Sequence, residues 1–303
     1  MPNRFISTMV KTGSKIVVGL DIGGTKMMAA SSTLDGQILH RIKHPTPKSL
    51  KRGLETIYSM IEECMGDQEC LAIGAATGGP LDWKRGVVSP LHQPEWREVP
   101  LKNLMEEKFS CPFQVDVDTN VAALGEHHFG KVNSSYMLYV TFSTGVGGGL
   151  LYKGEIFHGP DGVHPEVGHQ SVNYRCRYPE RVVCECGAPD CWEALVSGNG
   201  IRRIYRKPPE ELTDEEWEEV GYNIAQGLRN LAAIYTPEVI VLGGGLAIGA
   251  GKKLISSVES FFQRTLHIVP RPMIQLSTLG YDTVLYGALA IALKQVHGTS
   301  WSG

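Results

Sequence analysis

"KIVVGLDIGGTKMMAASSTLDGQILHRIKHPTP" (residues 15–47) opens with an apolar run, a Gly-Gly turn and a second apolar run, and Asp35-Gly36 then precedes a third. β-Rich runs around glycine and Asp-Gly turns predict strand, tight turn, strand, turn, strand. The same opening returns at "MLYVTFSTGVGGGLLYKGEIF" (residues 137–157). The recurrence predicts two related halves. Between and after them lie helical patterns. Leu54, Ile57, Tyr58 and Ile61 recur at helical spacing. "PFQVDVDTNVAALGEHHFG" (112–130) reads as a strand turning into a helix. Thr213 with Glu216 forms a capping box for a helix over about 214–235, whose apolar stripe is Trp217, Val220, Ile224, Leu228 and Leu231. "EVIVLGGGLA" (238–247) is a buried strand ending in glycines, and "TVLYGALAIALKQV" (283–296) is an apolar helix. The interval 175–210 reads as loop-rich. Each half is therefore α/β, and the chain is expected to cross between them near residues 118–122. In such folds ligands gather at the carboxyl ends of strands and often in the cleft between domains.

The chain has 303 residues, 42% of them hydrophobic, enough to bury one large or two ordinary cores. A net charge of −3 gives no electrostatic case for a nucleic-acid or membrane partner. No run reaches the roughly 18–20 apolar residues of a transmembrane helix. The first residues, "MPNRFISTMVKTGSK", contain no apolar core of a secretory signal. The expectation is a soluble, cytoplasmic protein with a loose leader over residues 1–14.

Three glycine turns follow strands: Gly23-Gly24, Gly145 with Gly147 to Gly149, and Gly243 to Gly245. None is a Walker A loop or a GxGxxG fingerprint, because Thr25 separates Gly24 from Lys26 and the other spacings do not fit. Glycine lets backbone N–H groups wrap phosphate oxygens. Thr25 and Thr144 add hydroxyls, and Asp21 is placed to hold a hydrated magnesium ion. Taken singly, each turn is equally an ordinary hairpin or bulge. Taken together, they favour nucleotide phosphates.

"HPEVGHQ" (164–170) precedes "CECGAPDCWEA" (184–194). Seven cysteines are present, and three crowd into 184–191. Stable disulfides are rare in reducing cytosol, so Cys184, Cys186 and Cys191 with His169 read as a closed, structural zinc set. The plainer alternative is reduced thiols without metal. Cys176 and His164 are alternative ligands. Cys64, Cys70 and Cys111 read as small buried hydrophobes.

"LDIGGTK", "STGVGGG", "PEVGH", "CECGAPDCWEA" and "VIVLGGG" stand in an order that resembles the ROK family (repressors, open reading frames and kinases), over about Lys15 to Leu293. The glycine loops alone resemble the wider sugar kinase, Hsp70 and actin superfamily. The E-x-G-H and C-x-C-G-x₃-C-x-E patterns narrow that to ROK. The resemblance implies an actin/hexokinase/Hsp70-like (ribonuclease H-like) fold of two α/β domains around a cleft. The expected limits are 15–118 plus a C-terminal helix from about 290 for the small domain, and 119–289 for the large one with its zinc loop. It implies transfer of the γ-phosphoryl of ATP, with magnesium, to a sugar, usually the 6-hydroxyl of a hexose. Gly23, Gly24, Thr25, Lys26, Thr144, Gly145, Gly147, Gly243, Gly244 and Gly245, with Asp21, would then serve the nucleotide. Members are often dimeric.

In resembling kinases, residues matching Glu166, His169 and Glu193 contact the sugar. Glu193 is equally an acid in the first turn of a helix, where the dipole favours it. The family's N-D-x-N segment matches Val117-Asp118-Thr119-Asn120. The match implies Asp118 as general base and Asn120 as a substrate contact. Read without the family, Asp118 is a helix N-cap, and Asp116 or Asn120 fits either role. Val117 stands where many hexose-specific members carry Asn, which leaves the sugar open among glucose, fructose, mannose, allose and N-acetylmannosamine. Gly78 and Gly79 in "ATGGPLD" (76–82) match the family's other sugar wall. Asp190 replaces the usual Gly before the last cysteine. Other classes fit less well, a non-sugar member of the wider superfamily among them, because of the E-x-G-H and cysteine patterns. A sugar-sensing repressor needs a helix-turn-helix, and only about 15 residues precede the first strand. An inert sugar-binding protein is disfavoured by intact Asp118, Asp21 and glycine loops.

Overall fold

The computed structural model describes residues 13–298. The leader expected over residues 1–14 lies outside the described residues, apart from Gly13 and Ser14. The first glycine turn joins β1 (Lys15–Ile22) to β2 (Lys26–Ser32), and the Asp35-Gly36 turn leads to β3 (Ile38–Pro45). These three strands run antiparallel, and β1 also pairs parallel to β4 (Glu69–Thr77). Helix α1 (Leu50–Met65) connects β3 to β4, with the Ser49 side chain accepting from Arg52 N–H at its start. After β4, three two-residue strands, β5 (Leu81–Asp82), β6 (Val87–Val88) and β7 (Val99–Pro100), make a small antiparallel sheet. Helix α2 (Leu101–Phe109) then leads to β8 (Phe113–Val117), which completes a sheet of order β3-β2-β1-β4-β8. Strand β1 is buried along almost its whole length, as a strand covered on both faces must be. Its Ile16, Val18 and Leu20 pack with Ile57 and Ile61 of α1, Phe113 and Trp96 in one core.

Helix α3 (Asp118–His128) follows β8 directly. The second glycine hairpin is β9 (Met137–Phe142) and β10 (Val146–Tyr152), with β11 (Glu155–Ile156) beside it. The interval read as loop-rich contains two helices, α4 (Trp192–Val196) and α5 (Gly198–Tyr205). They are short, and two glycines in α5 hide it from a propensity reading.

Helix α6 (Asp214–Tyr235) starts at the expected capping box, where Thr213 N–H donates to Glu216 Oε2 at 2.8 Å and Glu216 N–H donates to Thr213 Oγ1 at 3.4 Å. Strand β12 (Val239–Gly243) passes straight into α7 (Gly244–Thr265), so Gly244 and Gly245 open a helix instead of forming a free turn. Strand β13 (Met273–Leu276) and α8 (Thr283–His297) close the chain. The second sheet has order β11-β10-β9-β12-β13, three antiparallel strands followed by two parallel pairings. Both sheets thus place a glycine hairpin first and a returning parallel strand next. The second core joins Leu138, Val140, Phe142, Ile240 and Leu242 of the sheet to Ile224, Leu228, Trp192 and Phe262.

Two compact units result: one runs to Asp116 and resumes at Ala288, and the other is Val117–Gly287. Among the described residues, no helix is long and apolar enough to cross a membrane.

Candidate active site

The second unit holds most of the expected chemistry, and the β9–β10 hairpin organises it. At its tip Ser143 N–H donates to Gly145 O at 2.9 Å. Gly198 N–H donates to Ser143 O at 2.7 Å and Asn199 N–H to Thr144 O at 3.2 Å, which fastens the start of α5 to the turn. Farther along the hairpin, Gly149 packs on the first turn of α3. A side chain there would begin 2.2 Å from Thr119 O, so only glycine permits the approach.

Asp118 is the first residue of α3, half-buried, with Oδ1 accepting from Thr119 N–H at 2.7 Å. It is not the N-cap: that position is Val117, which has no side-chain bond to give. Asp118 thus stands one position inside the N-cap expected of it, with its carboxylate on the Thr119 amide. Asp116 and Asn120 are both buried, Asn120 completely.

Glu193 lies in the first turn of α4, and it also does more than complement the helix dipole. Its Oε2 accepts from Val146 N–H at 2.8 Å, reaching across to the hairpin. The helix beneath it is rigidly seated. Trp192 is fully buried, donates from Nε1 to Asn223 O at 2.8 Å and meets the Phe142 ring edge-on at 5.3 Å. Glu166 begins the short 3₁₀ turn Val167–His169; its carboxylate is exposed and lies 3.4 Å from His164 Nε2. The two motif segments are tied by Trp192 N–H donating to Gln170 O at 2.9 Å and by a bridge between Ser171 and Cys191.

His169, Cys184, Cys186 and Cys191 converge, with their ligand atoms all within 4.8 Å of one another. Cys184 Sγ is 3.5 Å from His169 Nδ1, and Cys186 Sγ is 3.2 Å from Cys191 Sγ. A tetrahedral zinc ion needs sulfur–sulfur edges of about 3.8 Å and sulfur–nitrogen edges of about 3.6 Å, given its bond lengths. The two closest edges, 3.5 and 3.2 Å, lie near those values and three thiols with an imidazole are zinc's usual donors, so the donor set fits such an ion. Burial raises the thiols of Cys184 and Cys191, whereas the Ala188 N–H and the neighbouring thiols bring exposed Cys186 down to about 7. Cys176 and His164 stand outside the cluster. Asp190, the departure from the family pattern, accepts from Ser171 Oγ at 2.9 Å and so ties the cysteine loop to the segment after His169.

A cavity of about 730 Å³ opens beside the hairpin tip. Ser143 and Thr144 form one side with Gly198; Gly245, Leu246 and Gly249 of α7 form another. Trp217 and Gly221 of α6 line it, Arg202 and Lys253 supply positive charge, Glu210 and Glu218 negative charge, and the exposed Tyr281 also lines it. Of the residues read as nucleotide-binding, Thr144 and Gly245 line this cavity; Gly145 and Gly147 stand beside Thr144 in sequence, and Gly243 and Gly244 lead from β12 into α7 just before Gly245. Trp217, on the expected apolar stripe of α6, is half-buried, packs against the core and also lines the cavity. Arg202, Lys253 and Tyr281 were missed: no local pattern marks them, and they come from three separate elements.

The remaining candidates lie in the first unit. Asp21 is half-buried near the end of β1, paired in register with Met28 and Ala76. The Gly23-Gly24 turn is closed by Gly23 N–H donating to Lys26 O at 3.1 Å, and Thr46 Oγ1 donates to Gly23 O at 2.6 Å. Thr25 O accepts from Thr46 N–H at 3.0 Å. Gly78 and Gly79 follow β4, and Gly79 O accepts from Leu91 N–H at 3.1 Å.

Two sheets of one topology, each opening with a glycine hairpin, define an α/β protein of the actin/hexokinase-like class. The sequence model of the ROK family matches residues 17–295, and the chain belongs to that family. It resembles the crystal structure of a ROK hexokinase from Thermus thermophilus, with 31% identity and a TM-score of 0.82 over 93% of this chain and 99% of that one. A ROK glucokinase from Streptomyces griseus, solved with glucose and AMPPNP, is 26% identical with a TM-score of 0.73 over 91% of this chain and 99% of that one. A fructokinase of Zymomonas mobilis is 30% identical over 94% of this chain and 98% of its own length.

Proposed function

We propose that this chain is an ATP-dependent sugar kinase that phosphorylates a hexose, at its 6-hydroxyl, with Asp118 as the general base. One observation carries the reading. A single hairpin touches the cavity through Ser143 and Thr144, the Glu193 carboxylate through Val146 N–H, and the Asp118 turn through Gly149. Donor pocket, polar anchor and base therefore share one rigid scaffold, as a transfer between two substrates requires. The relatives named glucokinase, hexokinase and fructokinase support the same chemistry.

In this reading the cavity takes ATP, with Thr144 and the glycine amides on the phosphates. The sugar hydroxyl oxygen attacks the γ-phosphorus, the bond from that phosphorus to the bridging oxygen breaks, ADP leaves, and the hydroxyl proton passes to Asp118. Most of the rate comes from positioning and charge neutralisation. Magnesium bound with the nucleotide would supply part of that neutralisation, and Asp21 is the carboxylate read as able to hold it through water. Glu193 and Glu166 accept hydrogen bonds from sugar hydroxyls, which carboxylates do strongly. His169, Cys184, Cys186 and Cys191 would hold a structural zinc ion, since four protein ligands would leave no open position for a reactive water. Such an ion would hold the Glu166–His169 turn against Glu193. Val117 cannot hydrogen-bond a hydroxyl, so the sugar preferred is one that does without that contact.

The test is ADP release from Mg-ATP across glucose, fructose, mannose, allose and N-acetylmannosamine. One sugar turning over far faster than the rest bears the reading out and names the substrate. No turnover with any of them, from protein that is folded and metal-loaded, would overturn it.

A further inference from the structure

Glu126 is a carboxylic acid with no exposure to solvent, near the end of α3 and eight residues beyond Asp118. Nothing in the phosphoryl transfer above uses it. A buried carboxylate persists only where other donors replace its water. Here the donors come from one short segment. Oε1 accepts from Ser277 Oγ at 2.5 Å, Thr283 Oγ1 at 3.2 Å and Leu279 N–H at 3.4 Å. Oε2 accepts from Thr278 N–H and Thr278 Oγ1, both at 3.3 Å.

The backbone explains how α3 comes so close to this segment. A side chain on Gly125 would begin 2.5 Å from Thr283 O, and one on Gly287 would begin 1.8 Å from Val121 O. The two helices therefore touch backbone to backbone, which only glycine allows. The segment thus drawn in carries Tyr281, which is 72% exposed and lines the cavity. Its hydroxyl lies 3.4 Å from where a side chain on Gly245 would begin. A residue so exposed is not fixed by its own packing; the loop must fix it.

We propose that Glu126 is a positioning residue for the nucleotide. It pins the 277–283 loop, sets Tyr281 in the cavity wall, and ties that wall to the helix that presents Asp118. The proposal rests on the cavity being the ATP site.

Calorimetry with Mg-AMPPNP, beside steady-state kinetics, tests it. Glu126→Gln keeps the shape but turns an amide NH₂ towards the donors of Thr278. The expected result is nucleotide binding weaker by roughly 5- to 30-fold, part of the loss of hydrogen bonds to a charge because it reaches the nucleotide through Tyr281, with the KM for the sugar unmoved. Tyr281→Ala should weaken nucleotide to a similar degree, and the double variant should be no worse than the single ones. A residue that merely stabilised the fold would lower Tm and the active fraction and leave nucleotide affinity alone. Should Glu126→Gln fail to fold, Thr278→Val, at an exposed position, removes one donor and should still weaken nucleotide about threefold. Binding as in wild type, in whichever variant folds, would overturn the tie. Losses that multiply in the double variant would overturn it too. Wild-type protein that binds no AMPPNP would overturn both the tie and the reading of the cavity.

Discussion

Gly145→Ala is the substitution that most sharply tests how the sugar anchor is held. Gly145 does not have a positive φ, so alanine can take its backbone conformation. The new methyl would begin 2.7 Å from Glu193 Oε2. That is too close, and the carboxylate, as the free end of a side chain, is what must move. Moving it breaks the 2.8 Å bond from Val146 N–H, and Val146 is buried. An orphaned buried amide costs about 1–3 kcal/mol, offset by about 0.4–1 kcal/mol because alanine restricts the unfolded chain. The net is a modest loss of stability, on the order of 0.5–2 kcal/mol. Activity should suffer more. A displaced Glu193 forfeits a charge-assisted bond to the sugar, worth about 1.5–3 kcal/mol, or about 10- to 150-fold in kcat/KM for the sugar. The assay is kinetics with sugar varied at saturating ATP, repeated in a Glu193→Ala background. There the extra alanine at 145 should cost little, because its target is gone. An unchanged sugar kcat/KM in Gly145→Ala would refute the reasoning. So would a loss confined to the KM for ATP, which would put Gly145 on the phosphates alone.

The metal set makes a second prediction: Cys186→Ser should lose zinc by elemental analysis and melt several degrees lower, and a zinc-free variant of full activity would remove the metal from the account. Binding zinc must also release protons, since burial keeps the Cys184 and Cys191 thiols above their ordinary range. Apparent zinc affinity, read by competition with a chelator, should therefore fall at least about tenfold per pH unit on acidification, and a flat profile would contradict thiolate ligation. Glu216 makes a third prediction, of acid sensitivity. Burial pushes its carboxyl up, but the Lys207 ammonium at 2.6 Å and the Thr213 N–H outweigh that and hold it below its ordinary 4.5. A depressed folded value means the stabilisation is whole above the unfolded value and is lost as pH falls through the folded one. Glu216→Gln should thus flatten the decline in stability below about pH 4.5, measured by denaturant titration; an unchanged acid limb would show the pair contributes nothing.

What could be read beforehand was local, and what could not was assembled from a distance. Thr213 and Glu216 sit three residues apart and announce the start of α6 by themselves. The two glycine hairpins were legible because turn chemistry and β-rich flanks occupy the same dozen residues. The cysteine set was legible because three of its four ligands lie within 184–191. Helix α7 was hidden by its own glycines, which read as a turn and yet open a helix. Periodicity placed Trp217 on the inward face of α6 without telling whether that face meets side chains or an open cavity. Glu126 was invisible because its partners stand more than 150 residues away in sequence. Asp118 is singled out by the family motif alone, while its place as the first residue of α3 needed the backbone.

The most direct test of the central claim is a single-turnover measurement of phosphoryl transfer in Asp118→Asn, with the preferred sugar and Mg-ATP both saturating. The account predicts sugar and nucleotide affinities near wild type and a transfer step slowed by roughly 10²–10⁴-fold, the usual loss when acid–base help is removed. Transfer at the wild-type rate would show that Asp118 takes no proton, and the mechanism built on it would fall.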